Sequence, residues 1–467
     1  MVDQTLSIPR LVIAGCSSGS GKTTTMLSLA KSLKDQGLKV VCFKCGPDYL
    51  DPTYHAQNMH ATCHNLDGWM MGKEAVLRTF RCASAGADIA LIEGVMGLFD
   101  GAGPTGDVGS TAEIAKWLKA PVVLVVDASG MARSIDAIAH GFKTYDSELN
   151  VSGLIANRFG SDSHLKILRD ACQSLRVLGG LPKRDDLRFQ ERHLGLVSAI
   201  KSGQEGSRFA AWSQLAGQYF DLSALLDIAR QAPELITRDY EGNIDFTESE
   251  DSPSTCTIGY AYDDAFHFYY ADNLNLLRRY GARMVAFSPL HDSELPECDG
   301  LYFGGGYPEL FAQALSRNHS MIASIQAAAA RDLPVYGECG GFMYLNKNII
   351  DSEGNRHPMV GLLPGTLKMH DKLQALGYAE VEVLSDSFLG EAGSRFRGHE
   401  FRYSSYEDEP EERPNIYKVR KRRNQDIRQE GFQSGSVLGS YIHAHWASNP
   451  TVAHNIVKAC TTKRMSR

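Results

Sequence analysis

Two groups of residues in this chain have the types and spacing to do chemistry, and the first centres on Cys339. It lies in Leu333-Pro334-Val335-Tyr336-Gly337-Glu338-Cys339-Gly340-Gly341-Phe342-Met343-Tyr344-Leu345. An apolar run that ends in Gly-x-Cys-Gly-Gly and resumes in helix-compatible residues reads as a strand passing to a helix through a sharp elbow, with a nucleophile at its tip. The N–H groups that follow, Gly340 first, would sit where they lower a thiol pKa and hold an oxyanion. A buried cysteine in a loop is the competing reading, since free cysteine is among the most buried residue types. Upstream, Gly304-Gly305-Gly306 follows a predicted strand and can point backbone N–H groups into a shared pocket, as half of an oxyanion hole or merely as a packing loop. Downstream, a strand at Leu438–Ile442 leads into His443-Ala444-His445, placing both imidazoles on one face. Two local ligands without a third argue against a metal site, and His443 reads instead as the base for Cys339.

The second group begins at Cys16-Ser17-Ser18-Gly19-Ser20-Gly21-Lys22-Thr23-Thr24, a glycine-rich loop between the predicted strand 10–15 and a helix over 26–34. Backbone N–H groups from Ser18 to Thr24 favour phosphate oxygens, Lys22 adds a point charge, and the Thr23 hydroxyl can ligate Mg²⁺. Gly15 precedes Gly21 by five intervening residues rather than the usual four. Carboxylates emerge at the ends of neighbouring strands: Asp48 and Asp51 after 39–44, Glu93 after 88–92 where a Walker-B acid stands, and Asp100 in a glycine-bounded loop. They suit Mg²⁺ or the orientation of a reacting group, although Pro-Asp and Asp-Pro pairs also form ordinary turns. Asn157-Arg158 closes a later strand and reads equally as a nucleotide contact or a plain surface loop.

These residues require strands to hold them. Strands at 121–127, 151–156 and 178–181 alternate with helices at 111–118 and 134–144, and a helix follows at 222–231, which predicts a doubly wound parallel α/β sheet. A polar acidic run without periodicity at 239–255 reads as a linker between domains 1–238 and 256–467. Beyond it come a strand at 257–260, an amphipathic helix over 266–280, a strand at 283–287 and a helix over 316–332. There is no internal repeat.

Composition narrows the class. The chain has 467 residues, 43% hydrophobic and 22% charged, with a net charge of −7, which fits a soluble multidomain protein and gives no reason to expect nucleic-acid binding. No apolar run spans a bilayer, and scattered cysteines without a signal segment indicate a cytoplasmic location with no membrane partner. Cys42-x-x-Cys45 has no second pair at zinc spacing. His399-Glu400-Phe401-Arg402-Tyr403 lacks the second histidine of a zinc-protease helix. The basic run at 418–423 reads as a solvated face, with contact to an anionic substrate as the alternative.

Taken in order, GCSSGSGKTT, FKCGPDYLDPTYH, HNLDGWM, EGVMGLFDG, ERHLGLV, GGGYPE, YGECGGFMYL, ALGY, GHEFRYS and SYIHAHWASNP resemble the cobyrinic acid a,c-diamide synthase family over nearly the whole chain. The resemblance implies an N-terminal ATP-binding domain similar to dethiobiotin synthetase, which accounts for the displaced first glycine, and a C-terminal class I glutamine amidotransferase-like domain. It further implies that Cys339 and His443 release ammonia from glutamine, with the oxyanion held near Gly305, Gly306 and Gly340. ATP at the phosphate loop would activate a substrate carboxylate, with Mg²⁺ near Thr23, Asp48 and Glu93. Asp48, Leu50, Asp51, Glu93 and Asp100 match positions associated with nucleotide, metal and carboxylate-substrate handling. The substrates implied are ATP, glutamine and a tetrapyrrole polycarboxylate, with the enzyme a monomer or homodimer. Hydrogenobyrinic acid or nickel-sirohydrochlorin would suit the same motifs, and a regulatory P-loop ATPase with an inert amidotransferase-like domain is the reading from another class. One departure stands out: class I amidotransferases usually carry Glu two residues after the catalytic His, where this chain has His445.

Overall fold

The computed structural model describes residues 2–184, 186, 191–192, 195–196, 205–239, 254–408, 415–422 and 426–466. The chain divides into two compact units, Met1–Asp245 and Phe246–Arg467. Most of the expected linker, part of the ERHLGLV stretch and Arg423 of the basic run lie outside the described residues.

In the first unit, seven strands form one parallel sheet in the order His64–Leu66, Val40–Cys45, Ile89–Glu93, Arg10–Gly15, Val122–Asp127, Val151–Asn157 and Val177–Gly179. The two strands nearest the phosphate loop, Arg10–Gly15 and Ile89–Glu93, are buried at every position, as continuous apolar runs covered on both faces must be. After Arg10–Gly15 the chain first builds strands on one side and later on the other. The phosphate loop therefore leaves the sheet at the point where strand order reverses, the place where open α/β sheets bind ligands. Helix Lys22–Asp35 presses Met26, Leu29, Ala30 and Leu33 into the core under the sheet, a stripe with helical spacing.

The second unit holds a ten-stranded sheet in the order Ala282–Phe287, Cys256–Ala261, Gly300–Phe303, Val335–Glu338, Val437–Ser440, Ile427–Ser434, Asn415–Lys421, Ala375–Val383, Arg395–Arg402 and His443–His445. The first strands pair parallel and the remainder antiparallel. Val437–Ser440 and His443–His445 are almost contiguous in the chain yet five places apart in the ladder, so the antiparallel part curls back on itself. That curl carries His443 to the sheet's own edge strand beside Arg395–Arg402.

Several expected elements are redrawn. The helix over 266–280 begins only at Ala271; Phe266–Phe268 is a strand that pairs with Gly305–Gly306, because the aromatic run there fits a pleated half-buried surface better than a helix. The helix over 316–332 is two helices, Ala312–Arg317 and His319–Ala330, divided at Asn318, whose side chain caps the second by accepting from Met321 N. The strand expected at 438–442 breaks after Ser440, where Tyr441 N bonds the Glu430 carboxylate instead of a backbone carbonyl of the neighbouring strand.

The elbow that carries Cys339 is set by close packing. A Cβ on Gly341 would fall 2.2 Å from the Phe303 carbonyl oxygen, a backbone atom that cannot step aside. Gly341→Ala should lower stability by about 1–3 kcal/mol in denaturant titration; a change below about 0.5 kcal/mol, the size of an ordinary surface substitution, would show that the elbow is not packed this way.

Candidate functional site

The strand ends of the first unit enclose a cavity of about 700 Å³ lined by Ser18, Gly19, Gly21, Lys22, Thr23 and Thr24 from the loop and by Lys44, Asp48, Leu50, Asp51 and Glu93 opposite them. The loop is tight. A Cβ on Gly21 would fall 1.9 Å from Asn157 Nδ2, and that amide donates to Ser20 O at 2.9 Å. Asn157 thus holds the loop, while Arg158 pairs with Asp127 at 2.5 Å. Lys22 Nζ donates to Ser17 O and Met96 O at 3.2 and 2.6 Å. Burial, then the charge of Lys44, hold its ammonium below the ordinary value. An arriving phosphate would relieve both effects.

Lys44, Glu93 and Asp51 form a buried charge network. Lys44 Nζ donates to Asp51 Oδ2 at 2.5 Å, to Glu93 Oε1 at 2.9 Å and to Gly94 O at 3.1 Å. Glu93 also accepts from the Thr23 hydroxyl at 2.7 Å and meets His55 Nε2 at 2.5 Å. Burial opposes the Lys44 charge, but Asp51 and Glu93 outweigh it and raise the ammonium well above its ordinary value. Burial alone would raise Glu93; Lys44, then His55 and Thr23, reverse this and hold its carboxyl below the carboxylate range. Asp51 is pushed up by burial and by Asp48 and Glu93, against the pull of Lys44. Asp48 Oδ1 accepts from Leu50 N at 2.8 Å and Asp51 N at 3.1 Å, starting the helix Leu50–Met59. Asp100 is exposed and outside the cavity lining; its carboxylate accepts from Gly97 N at 2.9 Å.

Thr23 and Glu93 offer oxygen donors alone, which suits Mg²⁺. Among the described residues no group of three or more His, Cys, Asp or Glu could hold a metal by itself. Mg²⁺ typically takes one or two protein oxygens and completes its shell with phosphates and water.

In the second unit Cys339 has φ 46° and ψ −102°, the strained geometry of an elbow in a residue with a side chain. Its N–H donates to Ser440 O at 2.8 Å. A Cβ on Gly340 would lie 2.9 Å from Gly306 N, and one on Gly305 would lie 2.4 Å from His443 Cε1. Gly305, Gly306, Gly340 and His443 are therefore gathered around the elbow. The strand of His443 is fixed by Asn273, which donates to Ala444 O at 2.8 Å and accepts from Trp446 N at 2.9 Å. Glu338, beside Cys339 in the chain, accepts from Ala444 N at 3.2 Å and from the Tyr302 and Tyr336 hydroxyls at 3.0 and 2.9 Å; burial raises its carboxyl to about 7. His443 stacks on His399 at 5.2 Å between ring centroids, and burial, then His399, lower its imidazole well below the ordinary value. Burial, then Glu309 and Glu400, push the Cys339 thiol up; Arg402 and the Gly340 N–H act against them without reversing the result. The resting pair is a neutral thiol and a neutral imidazole. His445 packs against Tyr270 at 4.6 Å.

Sequence reasoning passed over Lys44, His55 and Glu338, and weighed His399 only within a rejected zinc-protease pattern rather than beside His443. A lysine inside the apolar strand Val-Val-Cys-Phe-Lys-Cys was the available signal for Lys44, since a buried lysine demands partners. His399 gave none, because its register opposite His443 depends on the antiparallel curl.

Family models and relatives define an ATP-using amide ligase with its own glutamine amidotransferase domain. Residues 11–197 match the CobQ/CobB/MinD/ParA nucleotide binding domain, and residues 257–451 match the CobB/CobQ-like glutamine amidotransferase domain. A cobyrinate a,c-diamide synthase of Leptospira interrogans is 50% identical over 98% of this chain and 100% of its own length. One from Syntrophotalea carbinolica is 44% identical over 97% and 99%, and one from Priestia megaterium is 40% identical over 99% of each. The chain belongs to the cobyrinate a,c-diamide synthase family. Among the described residues no helix is long and apolar enough to cross a membrane.

Two outcomes follow from the electrostatics. Lys44→Met leaves Glu93 and Asp51 without their cation and should lower stability by about 3–5 kcal/mol in chemical denaturation; a loss under about 1 kcal/mol would mean the network is not buried as described. The raised thiol pKa means little thiolate at neutral pH, so alkylation of Cys339 by iodoacetamide in the ligand-free protein should rise about tenfold per pH unit from pH 7 to 9. A rate already level below about pH 7 would instead indicate a thiolate–imidazolium pair.

Proposed function

We propose that this chain converts the a and c acetate carboxylates of cobyrinate into amides in the cytoplasm, using ATP for activation and glutamine as nitrogen donor. The observation that carries the reading is one cavity in which the phosphate loop stands opposite Lys44, Asp51 and Glu93. A carboxylate resists amines because oxide cannot leave. Transfer of the γ-phosphoryl group to a carboxylate oxygen, with ADP departing, supplies a leaving group.

Loop N–H groups from Ser18 to Thr24 hold the phosphates, and Lys22 exchanges its two carbonyl contacts for phosphate oxygens. Lys44 sits where it can neutralise charge between the transferred group and the acceptor carboxylate. Thr23, Glu93 and Asp48 would hold Mg²⁺, which would supply charge neutralisation at the phosphates. Leu50 and Asp51 shape the acceptor side, and Asp100 fixes the loop at Gly97 that follows Glu93.

Ammonia comes from the second unit. His443 takes the Cys339 proton as sulfur attacks the glutamine amide carbon, and the departing nitrogen receives that proton and leaves as ammonia. Gly305, Gly306 and Gly340 face the developing oxyanion. Water then cleaves the thioester to glutamate. Ammonia displaces phosphate from the acyl phosphate, and the cycle repeats at the second carboxylate.

Cys339→Ala should abolish amidation with glutamine and retain it with ammonium, followed by mass spectrometry of the corrinoid product. Loss of both in a folded variant would overturn the division of labour.

A further inference from the structure

Glutamine differs from other primary amides by its α-ammonium and α-carboxylate. A thiol that draws nitrogen from glutamine alone therefore needs charges beside it that read those groups. Glu309 lies on the turn that packs against the elbow at Gly340. It follows Pro308, whose Cδ lies 2.9 Å from where a Cβ on Gly340 would sit, and it belongs to the short turn Pro308–Phe311 that comes shortly after Gly305 and Gly306. Among the charged groups acting on the Cys339 thiol, its carboxyl is first, ahead of Glu400 and Arg402.

The other charges near the thiol are already engaged. Glu400 pairs with Arg402 at 2.7 Å and with Arg428 at 2.7 Å. Arg402 also stacks over Tyr441 at 4.4 Å. Glu309 has no such partner: among the described residues no Lys, Arg or His pairs with it. It is half-buried, and burial raises its carboxyl to about 7. A partly desolvated carboxyl without a cation is stabilised when one arrives.

We propose that Glu309 forms the subsite for the α-ammonium group of the amide donor, with the ammonium donating to its carboxylate oxygens while the side-chain amide reaches Cys339. This deepens the glutaminase reading above and rests on it. The same contact would hold glutamate, the hydrolysis product, since its α-ammonium is identical.

The test compares ammonia release from L-glutamine and from glutaramic acid, which lacks only the α-amino group, using the full chain with ATP, Mg²⁺ and cobyrinate. The wild type should prefer glutamine in kcat/KM by about 10–100-fold, the range of a hydrogen bond to a charged group. In Glu309→Gln that preference should fall to near unity, and in Glu309→Asp to an intermediate value. A wild-type preference retained in Glu309→Gln overturns the proposal. If Glu309→Gln is inactive on both compounds, the ratio in Glu309→Asp decides: a fall supports the subsite and an unchanged ratio overturns it. A wild type that releases ammonia from neither compound overturns the glutaminase reading itself and the subsite with it, which separates that failure from a failure confined to Glu309.

Discussion

The structure of the nucleotide-binding unit depends on one constraint: Lys44 is a buried ammonium, and a buried ammonium must be surrounded by acceptors. Asp51, Glu93 and the Gly94 carbonyl meet it within 2.5–3.1 Å. Burial opposes charge on every member; Lys44 reverses this for Glu93, while Asp51 stays raised against the pull of the same cation. Their mutual neutralisation lets acidic residues from two strand ends converge beside a phosphate loop, whose Thr23 joins the same network through Glu93. The network thereby sets the positions of the groups that phosphoryl transfer requires before any ligand binds.

Strain and burial take the corresponding part in the second unit. The elbow fixes Cys339 at φ 46°, and glycines at 305, 306 and 340 let the surrounding chain approach closer than any side chain would allow. No carboxylate stands two residues after His443, where His445 packs on Tyr270 instead. Orientation comes from the strand itself, tied through Ala444 to Asn273 and Glu338. A neutral thiol, directed at the Phe401 carbonyl at 3.8 Å, and a neutral imidazole make a quiescent arrangement. It suits an enzyme in which ammonia released without an activated acceptor is wasted.

Much of this was legible in the sequence, for physical reasons that differ by region. Continuous apolar strands ending in Gly21-Lys22-Thr23, Asp48 and Glu93 announce a parallel sheet with its ligands at one edge, because local pattern and chain direction decide where strand ends point. The Gly-x-Cys-Gly-Gly elbow was legible for the same reason. Long-range antiparallel pairing was not: the ladder that joins 375–383 to 395–402 and 415–421, and sets His399 against His443, depends on register rather than local propensity. Lys44 was readable in principle from its apolar strand but was hidden by the more familiar loop lysine, Lys22. Phe266–Phe268 became a strand because Gly305–Gly306 offered it a partner, which nothing within that segment reveals.

The central claim is that the phosphate loop and the Lys44 network activate a carboxylate as its acyl phosphate. Cobyrinate carrying isotopically heavy oxygen in its carboxylates, incubated with ATP, Mg²⁺ and glutamine, tests this directly when the inorganic phosphate released is weighed by mass spectrometry. The account predicts one heavy oxygen in phosphate for each amide formed. Amide formation accompanied by unlabelled phosphate would contradict it.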